Sequence, residues 1–266
     1  MALSYATAKL ALPSRSLVRH DQTGDSVPSP HLTRWRVVAG VILALCTVCV
    51  VSAYEWAKTS HGQTYYLLFW VGFGGWFLVS CCGACLGQRS RGERYIWVAC
   101  LAVLTALPKI LMSPSAPIYH DEIAHFQLLY QTVQHGSVFA STTLLPIAHS
   151  YPGLESFAAA LHFATGLSLW HSALLAIALP HVVVPIEVGL IAEALGVKGR
   201  WSALAAFVYM LNPSYVYFDM QFAYEGLALA LGCVVTHHLT SIEILFFLVL
   251  LSATVTVSQF PATRRR

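Results

Sequence analysis

Long apolar runs recur along this chain, and they restrict it to a single class of structure. Val37 to Ala53, Tyr65 to Leu86, Tyr95 to Met112 and Leu174 to Leu195 each approach or exceed the roughly 20 residues a helix needs to cross the hydrocarbon core of a bilayer. Peptide groups in lipid must be satisfied within their own segment, which a helix achieves. The chain is 57% hydrophobic and only 10% charged, whereas soluble domains carry roughly 25% charged residues. We expect an all-α fold: a polytopic transmembrane helix bundle, multi-pass in a cell membrane, with membrane lipid as its first partner. The net charge is +3, with no basic stripe interleaved with aromatics, so no nucleic acid is expected. The seven cysteines lie in or beside apolar runs. The C-x-x-C pairs Cys46/Cys49 and Cys82/Cys85 therefore read as small helix residues rather than redox or metal motifs.

Charge placement divides the chain. Residues 1–36 are polar, rich in Ser, Thr and Pro, and basic at Lys9, Arg15, Arg19, Arg34 and Arg36. They read as a disordered cytoplasmic tail. Val51-Ser52-Ala53 could end a signal peptide, but the polar leader is too long for a secretory n-region. Residues 37–260 form the transmembrane domain, and 261–266 a basic tail. Gly83 and Gly87 have G-x-x-x-G spacing, read here as internal packing. Arg89, Arg91 and Arg94 mark a cytoplasmic turn. Residues 113–150 contain no Lys or Arg, so this loop is placed outside. Lys109, near the outer end of its span, is expected to snorkel.

The route after the loop follows from Lys198 and Arg200. They stay inside only if Leu154 to Leu169 re-enters or lies in the interface without crossing. Trp201 to Phe218 then runs outward, Phe222 to His237 inward and Ile242 to Val257 outward. Arg264, Arg265 and Arg266 end outside, against the charge rule.

Three constellations carry candidate chemistry. His120-Asp121-Glu122, with His125 one turn on, opens a short amphipathic helix over Asp121 to His135. Its apolar face is Ile123, Phe126, Leu129, Tyr130 and Val133, suited to lying flat on the bilayer. A carboxylate on a solvated rim can act as general base or help hold a divalent cation. No metal-ligand set is assigned, because Glu122-Ile-Ala-His125 lacks the second copy that a di-iron site requires. The second constellation is Asn212-Pro213 followed by Asp219, Gln221, Tyr224 and Glu225, with acids and aromatics at membrane depth. The third is Tyr151-Pro152-Gly153-Leu154-Glu155, with Glu155 as a partner of the helix dipole. His162, His171, His181, His237 and His238 read as polar packing residues.

In this order and spacing, the acidic pair, the amphipathic helix, Tyr151-Pro-Gly-Leu154 and Asn212-Pro213 with Gln221-Phe-Ala-Tyr-Glu225 resemble the GT-C superfamily of integral-membrane glycosyltransferases. The resemblance covers roughly residues 95–245. It implies a polyprenyl-phosphate-linked sugar as donor and a site at the outer membrane surface. Asp121 and Glu122 would be the catalytic acids. His120, His125, Tyr151, Asp219, Gln221, Tyr224 and Glu225 would bind substrate. Family members are usually longer, so a truncated and inactive member is also expected to fit. The alternatives are a non-catalytic membrane subunit or paralogue of the same fold, and a small-solute transporter with Glu187 on its path.

Overall fold

The four long apolar runs among the described residues are helical. The computed structural model describes residues 30–59, 62–87, 89–139 and 152–231. In order these form α1 (Pro30–Ala57), α2 (Thr64–Cys85), α3 (Arg91–Met112), α4 (His120–His135), α5 (Gly153–Thr165), α6 (Leu169–Ala194), α7 (Arg200–Met210) and α8 (Pro213–Tyr217). A further helix starts at residue 224 and is described to residue 231. No strand occurs among the described residues. Four helices are long and apolar enough to cross a membrane: Arg34–Ala57 within α1, then α2, α3 and α6. The protein is an all-α helical bundle of membrane type.

Several boundaries differ from expectation. α1 begins at Pro30, so residues 30–36, assigned to the tail, are helical. Proline fits the first turn because its missing N–H has no helical partner there. α5 has 13 residues, about 20 Å of helix, short of the roughly 30 Å hydrocarbon core. The stretch Trp201 to Phe218 is not one helix. α7 stops at Met210, and a new helix starts where the Asn212 side chain accepts the Ser214 N–H at 3.0 Å with Pro213 at its first position. The segments proposed for Ile242 to Val257 and the terminal arginines lie outside the described residues.

Lipid is as apolar as leucine, so close packing and hydrogen bonds hold such helices together. α1 and α2 approach where glycine allows it. A Cβ at Gly72 would meet the Cys46 carbonyl at 2.6 Å, and one at Gly75 would strike the Cys46 sulfur. Trp76 Nε1 donates to Thr47 Oγ1 across the same seam at 3.1 Å. Gly83 faces the Trp97 ring of α3, so this part of the G-x-x-x-G pair serves packing within the chain. Two apolar clusters result. One joins α1, α2, α3 and α7 around Trp76, Leu101 and Phe207. The other joins α4, α5 and the first half of α6 around Leu129, Leu154, Trp170 and Phe222. α3 contributes to both through Leu101 and Ala106. The six described cysteines are free thiols.

α6 contains Pro180 and Pro185. Pro185 has no N–H, so the His181 carbonyl loses its helical donor. The Tyr215 hydroxyl replaces it, donating at 3.0 Å. The Tyr215 ring also stacks on the His181 imidazole, centroids 4.1 Å apart and planes 11° apart. Thr105 Oγ1 donates to the Ala102 carbonyl at 2.9 Å and so is free to accept from His181 Nε2 at 3.1 Å. These bonds pin α8 and α3 to the middle of α6.

Polar contacts fix which helix ends lie together. Arg36 and Arg89 both reach Glu93, at 3.2 and 2.8 Å. Arg91 pairs with Glu193 at 2.8 Å, and Ser202 donates to Glu193 at 3.2 Å. The starts of α1, α3 and α7 therefore share one end of the bundle with the close of α6. Lys198 and Arg200 lie at that end too, in and just after the α6–α7 turn. Among the described residues only two cations, Lys58 and Lys109, lie toward the opposite end.

Candidate functional site

The end with few cations carries the candidate acids Asp121, Glu122, Glu155, Asp219 and Glu225. α3 leads into it with Lys109 in its last turn, and Ser113 caps the helix by donating its N–H to the Lys109 carbonyl at 3.0 Å. Trp170, at the start of α6, donates its indole N–H to the Ser113 carbonyl at 2.8 Å. Lys109 turns inward instead of snorkelling. Its ammonium pairs with the Glu122 carboxylate and lies 4.6 Å from the Tyr119 ring centroid and 5.7 Å from that of Trp170. Both members of the pair are buried, Glu122 completely. A charge so placed is tolerable only when neutralised and hydrogen-bonded.

Glu122 is saturated. Its Oε2 accepts the N–H groups of Ile118 and Tyr119, both at 3.3 Å, from the segment leading into α4. Its Oε1 accepts the Phe222 N–H at 3.1 Å. That last bond joins residues 100 positions apart and ties the loop after α8 to the start of α4. The Tyr119 and Tyr217 rings meet beside it, centroids 5.3 Å apart. Burial is the main reason the Tyr119 phenol is held well above its ordinary range, with the Tyr217 hydroxyl adding to it.

α4 divides its surface between buried polar contacts and an exposed part of its apolar face. It buries Glu122, Ala124, His125, Leu128, Leu129 and Thr132, while Ile123 and Tyr130 are exposed. Of the apolar face, Leu129 is buried and Phe126 and Val133 are partly buried. The cause is electrostatic. Glu122 must reach Lys109 and His125 must reach Glu155, and those two positions set the inward face.

His125 Nδ1 lies 2.6 Å from Glu155 Oε1, with both side chains buried. Glu155 stands in the first turn of α5, as the helix dipole favours, but its charge partner is the imidazole. Its other oxygen, Oε2, is buried without a hydrogen-bond partner. The His125 ring stands edge-on to Tyr224 at 5.5 Å and to Phe222 at 6.4 Å.

The remaining candidates surround this core. Asp121 is exposed, with His120 Nδ1 3.4 Å from its Oδ1. Gln221 is buried, Tyr224 about half exposed and Glu225 exposed. Asp219 is partly buried and accepts the Tyr209 hydroxyl at 3.1 Å. Burial raises its carboxyl above the usual range, and the Tyr209 hydrogen bond opposes that shift. Tyr151 lies outside the described residues. The structure therefore brings the 118–126 and 217–224 segments together at one end. It separates the acid pair: Glu122 is engaged, and Asp121 faces outward. Among the described residues no three His, Cys, Asp or Glu side chains converge to hold a metal ion.

Three participants were not read from sequence in these roles: Lys109, Glu155 and the Phe222 N–H. A usable signal existed for two of them. Each is a lone charge in or beside an apolar run, and a lone buried charge requires an opposite partner. No protein-family model, curated protein or solved structure matches this chain.

Proposed function

We propose that this chain is a GT-C-type membrane protein that engages a polyprenyl-phosphate-linked sugar at the outer face of the membrane. The observation that carries the reading is the junction of the two acid-bearing segments through Glu122 and the Phe222 N–H. It leaves Asp121 as an exposed carboxylate at the rim, free to bind an acceptor hydroxyl. Orientation follows from charge. Arginines and Lys198 collect at the opposite end, and that end belongs in the cytoplasm by the positive-inside rule. The N-terminus would then be cytoplasmic.

Sugar transfer needs a base for the acceptor proton and positive charge for the departing lipid phosphate. Lys109 is poorly suited to the second task because Glu122 already neutralises it. A divalent cation brought with the phosphate is one way to supply that charge. A small-solute transporter is the second reading, with Glu187 within α6 on its path.

Binding separates the two. The full chain in lipid nanodiscs, titrated with radiolabelled polyprenyl-phosphate sugars, should bind at least one saturably. Asp121→Ala should weaken that binding about 10- to 100-fold, the usual effect of losing a charged hydrogen bond. Asp121 is the clean position to change, because altering Glu122 also breaks a buried ion pair. Absence of saturable binding, together with solute flux into proteoliposomes, would favour the transporter.

A further inference from the structure

We propose that His125 and Glu155 form a proton-accepting dyad at this site, with His125 as the base that meets the acceptor and Glu155 as its positioning residue. The inference rests on the sugar-transfer reading above and assigns its proton.

Geometry supports the division of roles. Glu155 Oε1 lies 2.6 Å from His125 Nδ1. A carboxylate there accepts the Nδ1–H and fixes the tautomer, leaving the Nε2 lone pair as the basic position. Nε2 has no hydrogen-bond partner among the described residues. Asp121 precedes His125 by one turn of α4, a spacing of about 6 Å between Cβ atoms, with its carboxylate exposed and the imidazole buried. An acceptor hydroxyl held by Asp121 is thus one helical turn from the imidazole. Tyr224, half exposed and edge-on to the ring, is the side chain that stands over His125.

The two ion pairs at this end differ in what they can do. Glu122 spends both oxygens on Lys109 and three backbone N–H groups, so it acts as a fixed tie. Glu155 is equally buried but has one partner, and its Oε2 has none. Such an unmatched buried oxygen calls for an explanation, and a catalytic role is one of those open to it.

The step balances. The acceptor oxygen bonds to the anomeric carbon while its proton passes to His125 Nε2. The bond from the anomeric carbon to the lipid-phosphate oxygen breaks, and its electron pair leaves with the phosphate. The imidazolium stays paired with Glu155 until it releases its proton to water.

The test is sugar transfer by the full chain in nanodiscs, from a polyprenyl-phosphate sugar to a lipid or glycoside hydroxyl. His125→Gln should lower kcat about 100-fold or more at similar KM, within the usual range for losing a general base. Glu155→Gln should lower kcat about 10-fold or more at similar KM, as loss of the group that orients a catalytic imidazole does, with Glu155→Asp recovering part of the rate. Transfer by wild type with an unchanged rate in Glu155→Gln would overturn the dyad and leave the sugar-transfer reading intact. No transfer by wild type would overturn both. If Glu155→Gln fails to elute as a single species, imidazole 15N shifts of the wild type decide. A neutral ring protonated at Nδ1 supports the dyad; one protonated at Nε2 overturns it.

Discussion

A proline inside a membrane helix creates a defined problem, and Tyr215 solves it. Pro185 strips the His181 carbonyl of its donor, and the Tyr215 hydroxyl supplies one from α8. Tyr215→Phe keeps the ring stack on His181 and removes only the donor. It should cost about 1–3 kcal/mol, the penalty for an unsatisfied buried acceptor. Thermal unfolding in detergent reads this out, with Tyr130→Phe at an exposed position as the near-neutral control. Asp219 poses a different problem. Its carboxyl is raised by burial, so the folded state holds its proton more tightly than the unfolded chain does. Its favourable contribution is full below the unfolded pKa and is lost as pH rises through the folded value. At neutral pH Asp219 therefore weakens the fold. Asp219→Asn keeps an acceptor for Tyr209 and should raise the midpoint of thermal unfolding at pH 7. Repeating the melts in acid should shrink the gain as the wild-type carboxyl protonates.

At the scale of elements, α4 shows what buried charge does to a helix. Its apolar stripe suggests a face toward the bilayer, and the helix leaves Ile123 and Tyr130 exposed while it turns Glu122 and His125 inward. The tie to Lys109 should behave as a coupled pair. Lys109→Met alone leaves a buried carboxylate without its cation and should cost about 3–5 kcal/mol. Adding Glu122→Gln should recover at least about 1 kcal/mol of that loss, because interacting sites are not additive. A double-mutant cycle in denaturant measures the difference. α4 also marks where sequence reasoning reached its limit. Hydropathy and length gave the four long helices to within a few residues, except that α1 starts seven residues early at Pro30 and α6 five residues early at Leu169. Both are fixed locally by apolar length and by turn residues. The spacing in Asp121 to His135 also gave a helix. Which face turned inward depended on Lys109, Glu155 and Phe222, which are distant in sequence, and no local periodicity carries that. The break between α7 and α8 was half legible. Pro213 signals that the helix ends or kinks there, and the Asn212 cap starts the new helix.

For the whole molecule, the organising feature is unequal charge at the two ends. Arg36, Arg89, Arg91, Lys198 and Arg200 collect where α1, α3 and α7 begin and α6 ends. The far end holds Lys58, paired with Glu55 at 2.6 Å, and Lys109, consumed by Glu122. That asymmetry predicts orientation by the positive-inside rule, and the junction at Phe222 predicts that residues 121 and 218 report the same side. Single cysteines can be placed on a cysteine-free background at Asp121, Phe218, Arg91 and Lys198, all exposed positions. In intact cells an impermeant maleimide should label 121 and 218. Labelling at 91 and 198 should appear only after permeabilisation. Two failures would have different meanings. Reversal of all four positions would invert the protein in the membrane and place the acids in the cytoplasm, away from a polyprenyl-linked sugar presented outside. Opposite labelling of 121 and 218 would separate the segments that Glu122 joins, and no site could be shared between them.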